Sequence, residues 1–122
     1  MVNICRSIRD QKEEQSNSAV KKAMLYIQEN FSKDISLDEV SGQVNISPYY
    51  FSKIFKEETG ENFIEYLTRI RIEKAKEFLK QPEVSVKEAG VKSGYTDPNY
   101  FSRIFKKQTD MTPSEFKTRY GK

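Results

Sequence analysis

The chain has 122 residues, with 21 Lys and Arg against 18 Asp and Glu for a net charge of +3, and it is 36% hydrophobic and 32% charged; that is the size of one small domain or two very small ones. No stretch approaches the roughly 18 consecutive apolar positions of a membrane span, and the N-terminal MVNICRSIRDQ lacks the apolar run of about 7 to 15 residues of a secretory signal, so a cytoplasmic location is expected. With no His and one Cys, Cys5, the chain cannot assemble Ser-His-Asp or Cys-His catalysis, a His- or Cys-rich zinc site or an internal disulfide, and its five scattered glycines match no phosphate-cradling or dinucleotide loop; no enzyme activity, metal or cofactor is expected.

Residues 1–17 hold three basic and three acidic side chains and no sustained apolar stripe, and they read as a mobile linker or tail. From there on, period 3.6 recurs and period two does not, which predicts an all-helical fold. Val20, Ala23, Met24, Ile27 and Phe31 form the stripe of a first helix over about 18–31, with Ser18 as its N-cap. Ser36 followed by Glu39 is a capping-box spacing that opens a second helix over about 37–44, with Leu37, Val40 and Val44 on its apolar face. Ser47-Pro48 places an N-cap before a proline at the first helical position, and Gly60 ends the third helix after Thr59. A fourth, over about 62–80, carries Phe63, Tyr66, Leu67, Ile70, Ala75, Phe78 and Leu79 and ends before Pro82, a length of roughly 28 Å. Ser85 with Glu88 opens a fifth helix that Gly94 closes. Asp97-Pro98 opens a sixth to about Thr109, and Thr112-Pro113 a seventh to about Tyr120. Asn45 and Gly94 stand in the turns of the two short-helix pairs, and both residue types tolerate a left-handed backbone. Short helix, tight turn, second helix is the helix-turn-helix outline.

The outline occurs twice. SPYYFSKIFKEET (47–59) and DPNYFSRIFKKQT (97–109) match at eight of thirteen positions with an offset of 50, and upstream the offset is 49, pairing Ser36–Ser47 with Ser85–Thr96. Two copies are too few for a solenoid, which needs about three units, and a duplicated reading head is the natural interpretation. At 100° per residue, Phe51, Ile54 and Phe55 share one side of the third helix while Tyr49, Lys53 and Lys56 share the other, with Ser52 at the edge. The second copy buries Phe101, Ile104 and Phe105 by the same geometry and presents Asn99, Arg103 and Lys106, with Ser102 flanking.

These residues resemble a known family. ISLDEVSGQVNISPYYFSKIFKEETGENFIEYLTRIRIEKAKEFL and VKEAGVKSGYTDPNYFSRIFKKQTDMTPSEFKTRY are similar to the AraC/XylS DNA-binding domain over about residues 20 to 120, and GYTDPNYFSRIFKKQTDMTPSEF lies on the family's signature stretch. The resemblance implies seven helices in a tandem, homeodomain-like arrangement over 18–122, with helix-turn-helix subdomains at 18–61 and 81–122 and a rigid linker helix at 62–80. It also implies two recognition helices in successive major grooves of double-stranded promoter DNA, transcriptional regulation in a bacterium, contact with RNA polymerase if the protein activates, and kinship with output domains of two-component response regulators. Departures from the family pattern are Ser41 and Gly90 in place of the usual Ala, the small residues Ala89 and Ser93, Asp110 in place of Gly, and Lys117 in place of Arg. A helix-interior glycine costs about 0.5 to 1 kcal/mol relative to Ala, and these small residues predict a thinly packed second subdomain.

On that basis the base-reading candidates are Tyr49, Ser52 and Lys53 in the first motif and Asn99, Ser102 and Arg103 in the second. An Arg can bridge O6 and N7 of guanine and an Asn can pair with adenine in the same bidentate manner. Lys56, Lys106 and Lys107, with the helix starts at Ser36, Ser85 and Thr112, are the phosphate-binding candidates; for those Ser and Thr, plain helix capping is the simpler role. Arg69 and Arg71 on the linker helix are expected either to pair with Glu65 or Glu73 or to touch DNA. A second reading is a protein-interaction module in which Tyr49, Tyr50 and Tyr100 anchor a partner, although partial burial beside the core accounts for Tyr50 and Tyr100 more simply.

Overall fold

The computed structural model describes residues 18–121. They form seven helices and, among the described residues, no strand: α1 over 18–30, α2 Leu37–Gln43, α3 Pro48–Thr59, α4 Phe63–Leu79, α5 Val86–Lys92, α6 Pro98–Thr109 and α7 Pro113–Tyr120. The tail expected over residues 1–17, and Cys5 with it, lies outside the described residues.

The helix starts follow the expected chemistry. Ser36, Ser47, Ser85 and Thr112 accept the backbone N–H of Glu39, Tyr50, Glu88 and Glu115 respectively, and Asp97 accepts that of Asn99, so each side chain satisfies a donor that the first helical turn leaves unpaired. The reciprocal half of the capping box is another matter. At α2 the Glu39 carboxylate instead accepts the Tyr26 hydroxyl of α1, and at α5 the Glu88 carboxylate accepts the Ser85 hydroxyl, 3.2 Å. The complete box is at α7, where the Glu115 carboxylate also accepts the Thr112 backbone N–H, 3.1 Å. The helix ends repeat as the helices do. Thr59 and Thr109 each donate a hydroxyl to the carbonyl four residues back, 2.7 and 2.8 Å, and Gly60 (φ 81°) and Asp110 (φ 65°) take the left-handed conformation that follows. Asp at that cap does in the second copy what Gly does in the first. Asn45 and Gly94 are left-handed in the two motif turns, with φ of 60° and 106°.

The chain divides into two units, one running to Glu29 and continuing over Ile35–Ile64, the other made of Asn30–Asp34 and Glu65–Lys122. In the first, Val20, Ala23 and Ile27 of α1, Val40 of α2 and Phe51, Ile54 and Phe55 of α3 are buried, and the rings of Phe51 and Phe55 meet at 5.3 Å. In the second, Ile72, Ala75 and Leu79 of α4 join Val84, Ala89, Tyr95, Phe101, Phe105 and Phe116 in one cluster. Ile72 is buried where the sequence stripe placed Ile70, which is half-buried. Positions 72, 75 and 79 make one helical face, and the cluster of the second unit selects it.

That cluster is not thin. Phe101 is fully buried between Tyr95 at 5.7 Å and Phe105 at 5.8 Å, and Phe105 packs edge-on to Phe116 at 5.5 Å. The small residues on α5 exist because the ring comes close: a Cβ on Gly90 would lie 2.8 Å from a Phe101 ring carbon. Ser93, fully buried, donates its hydroxyl to the carbonyls of Ala89 and Gly90, 2.8 and 3.0 Å, so its polarity is satisfied inside the helix. The Lys117 ammonium donates to the carbonyls of Leu79 and Gln81, 3.3 and 3.0 Å. A point charge serves there, since it faces two carbonyls at a helix C-terminus, where a cation is favoured.

The two motifs therefore respond oppositely to added methyl groups. A Cβ on Gly42, inside α2, would meet nothing within 4 Å, and Gly42→Ala should stabilise the chain by about 0.5 to 1 kcal/mol through helix propensity. Gly90→Ala should destabilise it by about 1 to 3 kcal/mol, because the new Cβ would press on the buried Phe101 ring that Tyr95 and Phe105 hold from either side. Urea denaturation of both variants decides it; a stabilising Gly90→Ala would show that the ring does move.

Candidate nucleic-acid interface

Burial of one face decides what the other face offers. In α3, Phe51, Ile54 and Phe55 point inward, so Tyr49, Lys53 and Lys56 are exposed and Ser52 is half-buried at the edge. Tyr49 is the most exposed large hydrophobic side chain among the described residues, at 85%. In α6, Phe101 and Phe105 are buried with Ile104 packed partly against the core, and Asn99, Arg103, Lys106 and Lys107 are exposed beside a half-buried Ser102. Each motif thus brings its base-reading candidates onto the outer side of one helix, within its first two turns. Each unit supplies its own set.

The phosphate candidates separate into two kinds. Lys56, Lys106 and Lys107 are exposed cations in the last turns of α3 and α6. The hydroxyls of Ser36, Ser85 and Thr112 serve as caps, and two of these residues are fully engaged. Ser85 both accepts from the Glu88 N–H and donates to the Glu88 carboxylate, and Thr112 has its hydroxyl and its backbone N–H committed to Glu115. That backbone N–H, then the hydroxyl, hold the Glu115 carboxyl below the usual carboxylate range, with the Lys106 charge adding to the effect.

On α4, Arg71 is engaged by the backbone. Arg71 donates from Nε to the Phe31 carbonyl, 2.7 Å, and from Nη2 to the Lys33 carbonyl, 2.9 Å, and its guanidinium lies over the Tyr95 ring at 5.4 Å. The planar fork ties the segment Asn30–Asp34 to α4, a use for which Lys is no substitute. Gly94 leaves room for it, since a Cβ there would lie 2.8 Å from Arg71 Nε and 2.9 Å from the Phe31 oxygen. Arg69 lies over the Tyr66 ring at 5.2 Å, and Glu73 pairs with Lys76 at 3.3 Å. Sequence reasoning missed this clamp because its partners are backbone carbonyls 40 and 38 residues upstream, and carbonyls leave no mark in a sequence. Burial pushes the Tyr95 hydroxyl pKa upward, and the positive charge of Arg71 opposes it without reversing it.

Among the described residues no helix is long and apolar enough to cross a membrane, and no group of three or more acidic or Cys side chains is placed to hold a metal ion.

Comparison with known proteins bears on this geometry. A helix-turn-helix domain profile matches residues 40–119. The regulatory protein PocR of Salmonella typhimurium is 34% identical over 101 residues, which are 83% of this chain and 33% of PocR, so the chain spans a third of that relative's length. Among solved structures, the C-terminal domain of AraT, a response regulator from Geobacillus stearothermophilus, superposes with a TM-score of 0.81 at 38% identity over 85% of this chain and 87% of that one. The DNA-binding domain of AdpA, a global transcriptional factor solved in complex with a target DNA, has a TM-score of 0.78 over 83% of this chain and 91% of its own; at 19% identity it shares the fold.

The Tyr95 environment gives a pH dependence whose sign is fixed. A tyrosine whose pKa is raised on folding stabilises the folded chain fully below its ordinary value of about 10, and that stability is lost as pH rises through the higher folded value. Between about pH 10 and 12, the denaturation midpoint should fall faster for the parent than for Tyr95→Phe, which has no hydroxyl to ionise. Equal slopes would show that Tyr95 ionises as freely folded as unfolded.

Proposed function

The chain belongs to the AraC/XylS family of helix-turn-helix DNA-binding domains, a family of transcription regulators rather than enzymes, and from that premise we propose that it binds double-stranded promoter DNA by laying α3 and α6 in successive major grooves. The observation that carries this reading is the matched outer face of the two helices: Tyr49, Ser52, Lys53 and Lys56 on one, Asn99, Ser102, Arg103 and Lys106 on the other, each backed by buried phenylalanines. Successive grooves on one side of a duplex lie roughly 34 Å apart, so one protein reads two blocks about 10 base pairs apart.

In this reading Arg103 bridges O6 and N7 of a guanine and Asn99 pairs with an adenine, while Ser102 contacts an edge beside them. Lys53 takes a guanine in the first block, with Tyr49 and Ser52 supplying an apolar contact and a single hydrogen bond. Lys56, Lys106 and Lys107 neutralise phosphates, releasing counterions that make affinity salt-dependent. The helix starts at Ser36, Ser85 and Thr112 face the backbone as capped N-termini, with the caps setting their direction and any phosphate contact coming from remaining backbone N–H groups. Residues 81–122 hold eight Lys and Arg against five Asp and Glu, so attraction to the duplex is strongest in the second motif. No cofactor takes part in such recognition.

The likeness to AraT and the third of PocR that the chain spans support a place as the output end of a longer bacterial, cytoplasmic regulator. Residues 1–17 would then lead from a preceding domain into the subdomains at 18–61 and 81–122 through the linker helix at 62–80, and an activator of this kind would contact RNA polymerase.

Selection from random duplexes at near-physiological salt should return two information-rich blocks about 10 base pairs apart; a pool with no enrichment would refute the reading. Arg103→Ala should cost about 1 to 3 kcal/mol and relax base preference in one block, whereas Lys106→Ala should weaken all sequences alike and flatten the salt dependence by about one unit of slope. An unchanged selected sequence with Arg103→Ala would remove its base-reading role.

A further inference from the structure

We infer that Tyr100 is a positioning residue for Arg103, and that the tier formed by Tyr95, Tyr100 and Arg103 makes α6 the stringent reader of the two helices and α3 the permissive one; this rests on the DNA-reading function proposed above. The tier starts in the core. Tyr95 is buried, stacked on Phe101 at 5.7 Å and an angle of 27°, and covered by the Arg71 guanidinium at 5.4 Å. Arg71 is itself fixed by two carbonyls, so Tyr95 has little freedom to turn. Tyr100 stacks on Tyr95 at 5.8 Å and 29° and is 44% exposed, so it is anchored on the core side and open on the other. One turn further along α6, the Arg103 guanidinium carbon stands 6.0 Å from the centre of the Tyr100 ring, with Ile104 and Lys107 completing a shallow hollow around the pair.

An exposed arginine has rotamer entropy to lose when it is fixed on a base. An aromatic platform under the guanidinium removes part of that loss beforehand, and the saving is realised only where the planar fork docks in one orientation, which is on the cognate base. Tyr100 thus acts on discrimination at one base pair more than on affinity at large.

The first motif differs at two of these three positions. Ile46 stands at the position of Tyr95 and Lys53 at that of Arg103. The aromatic ring at position 95 is thus an aliphatic side chain at position 46, and a lysine ammonium has no plane to align and makes point contacts with a base edge. The duplication therefore diverged toward one preorganised and one adaptable reader.

The test uses the full 122-residue chain in random-duplex selection with Tyr100→Leu, Tyr100→Phe, Arg103→Ala and the Tyr100→Leu/Arg103→Ala pair. In the parent, the α6 block should carry more information than the α3 block. Tyr100→Leu should lower preference at the Arg103 base pair about two- to fivefold, the range of an exposed cation–π contact, with the other positions intact. Tyr100→Phe should retain the preference, and Tyr100→Leu should add nothing once Arg103 is Ala. If Arg103→Ala relaxes that base pair and Tyr100→Leu does not, this inference fails while the DNA-reading function stands. A uniform loss across all sequences with Tyr100→Leu would make Tyr100 a structural residue only. If Arg103→Ala changes nothing, both fall. Nuclear magnetic resonance of the unaltered chain supplies a check that needs no variant: ring-current displacement of the Arg103 side-chain protons is expected, and random-coil positions for them would overturn the positioning role.

Discussion

Phe101 lies so close to α5 that residue 90 has no space for a methyl group, with 2.8 Å between the ring and the place a Cβ would take. Most of the second unit depends on that approach. It seats the ring between Tyr95 and Phe105, and Phe105 in turn against Phe116 of α7, so the α5–α6 turn, α6 and α7 share one aromatic stack. A buried phenylalanine contributes about 1.5 to 3 kcal/mol relative to an exposed one, and a run of them at positions 101 and 105 sets the rotation of α6 about its own axis. With that rotation set, Asn99, Arg103 and Lys106 have no direction left but outward. The surface proposed to meet DNA is the complement of the packing beneath it.

Arg71 does for the segment Asn30–Asp34 what Phe101 does for α6. Its fork satisfies two backbone carbonyls at once, those of Phe31 and Lys33, and so holds the segment in one geometry. Gly94 is needed twice over, for its left-handed φ of 106° and for the absence of a side chain beside that guanidinium. One position thereby joins the geometry of the motif turn to the clamp, and a larger residue there would disturb both.

The two copies keep their frames and differ in their equipment. Caps, left-handed turns and the terminal threonine bonds are reproduced in each. What changed are the groups laid on that frame: Asp110 for Gly60, Ser93 for Val44 and Arg103 for Lys53. The substitutions that look weakening in a sequence, Gly90 and Ser93, are compensated by a closer ring and by hydroxyl bonds inside the helix. A duplicated frame with changed contacts is the basis of the two readers of unequal stringency inferred above.

Most of the local structure is legible in the order of the residues. Helix ends are written in side chains that act within three or four residues, which is why Ser47-Pro48, Asp97-Pro98 and Gly60 place α3 and α6 to the residue. A stripe of period 3.6 likewise marks which side of a helix is apolar, so the outward direction of Lys53 and Arg103 follows from Phe51 and Phe101. Sequence patterns fail where the partner is distant or is backbone. They could not show that Glu39 turns to Tyr26, that Ile72 rather than Ile70 enters the core, or that Gly90 marks tight packing instead of weakness. Nor could they show that Arg71 holds two backbone carbonyls. By itself the sequence determined the seven helices, their repeat and their polar faces, because those rest on interactions within a turn or two of the chain. The tertiary structure decided which small residues are filled by a neighbour's ring and which charges are spent inside the fold, because contacts across tens of residues have no period to read.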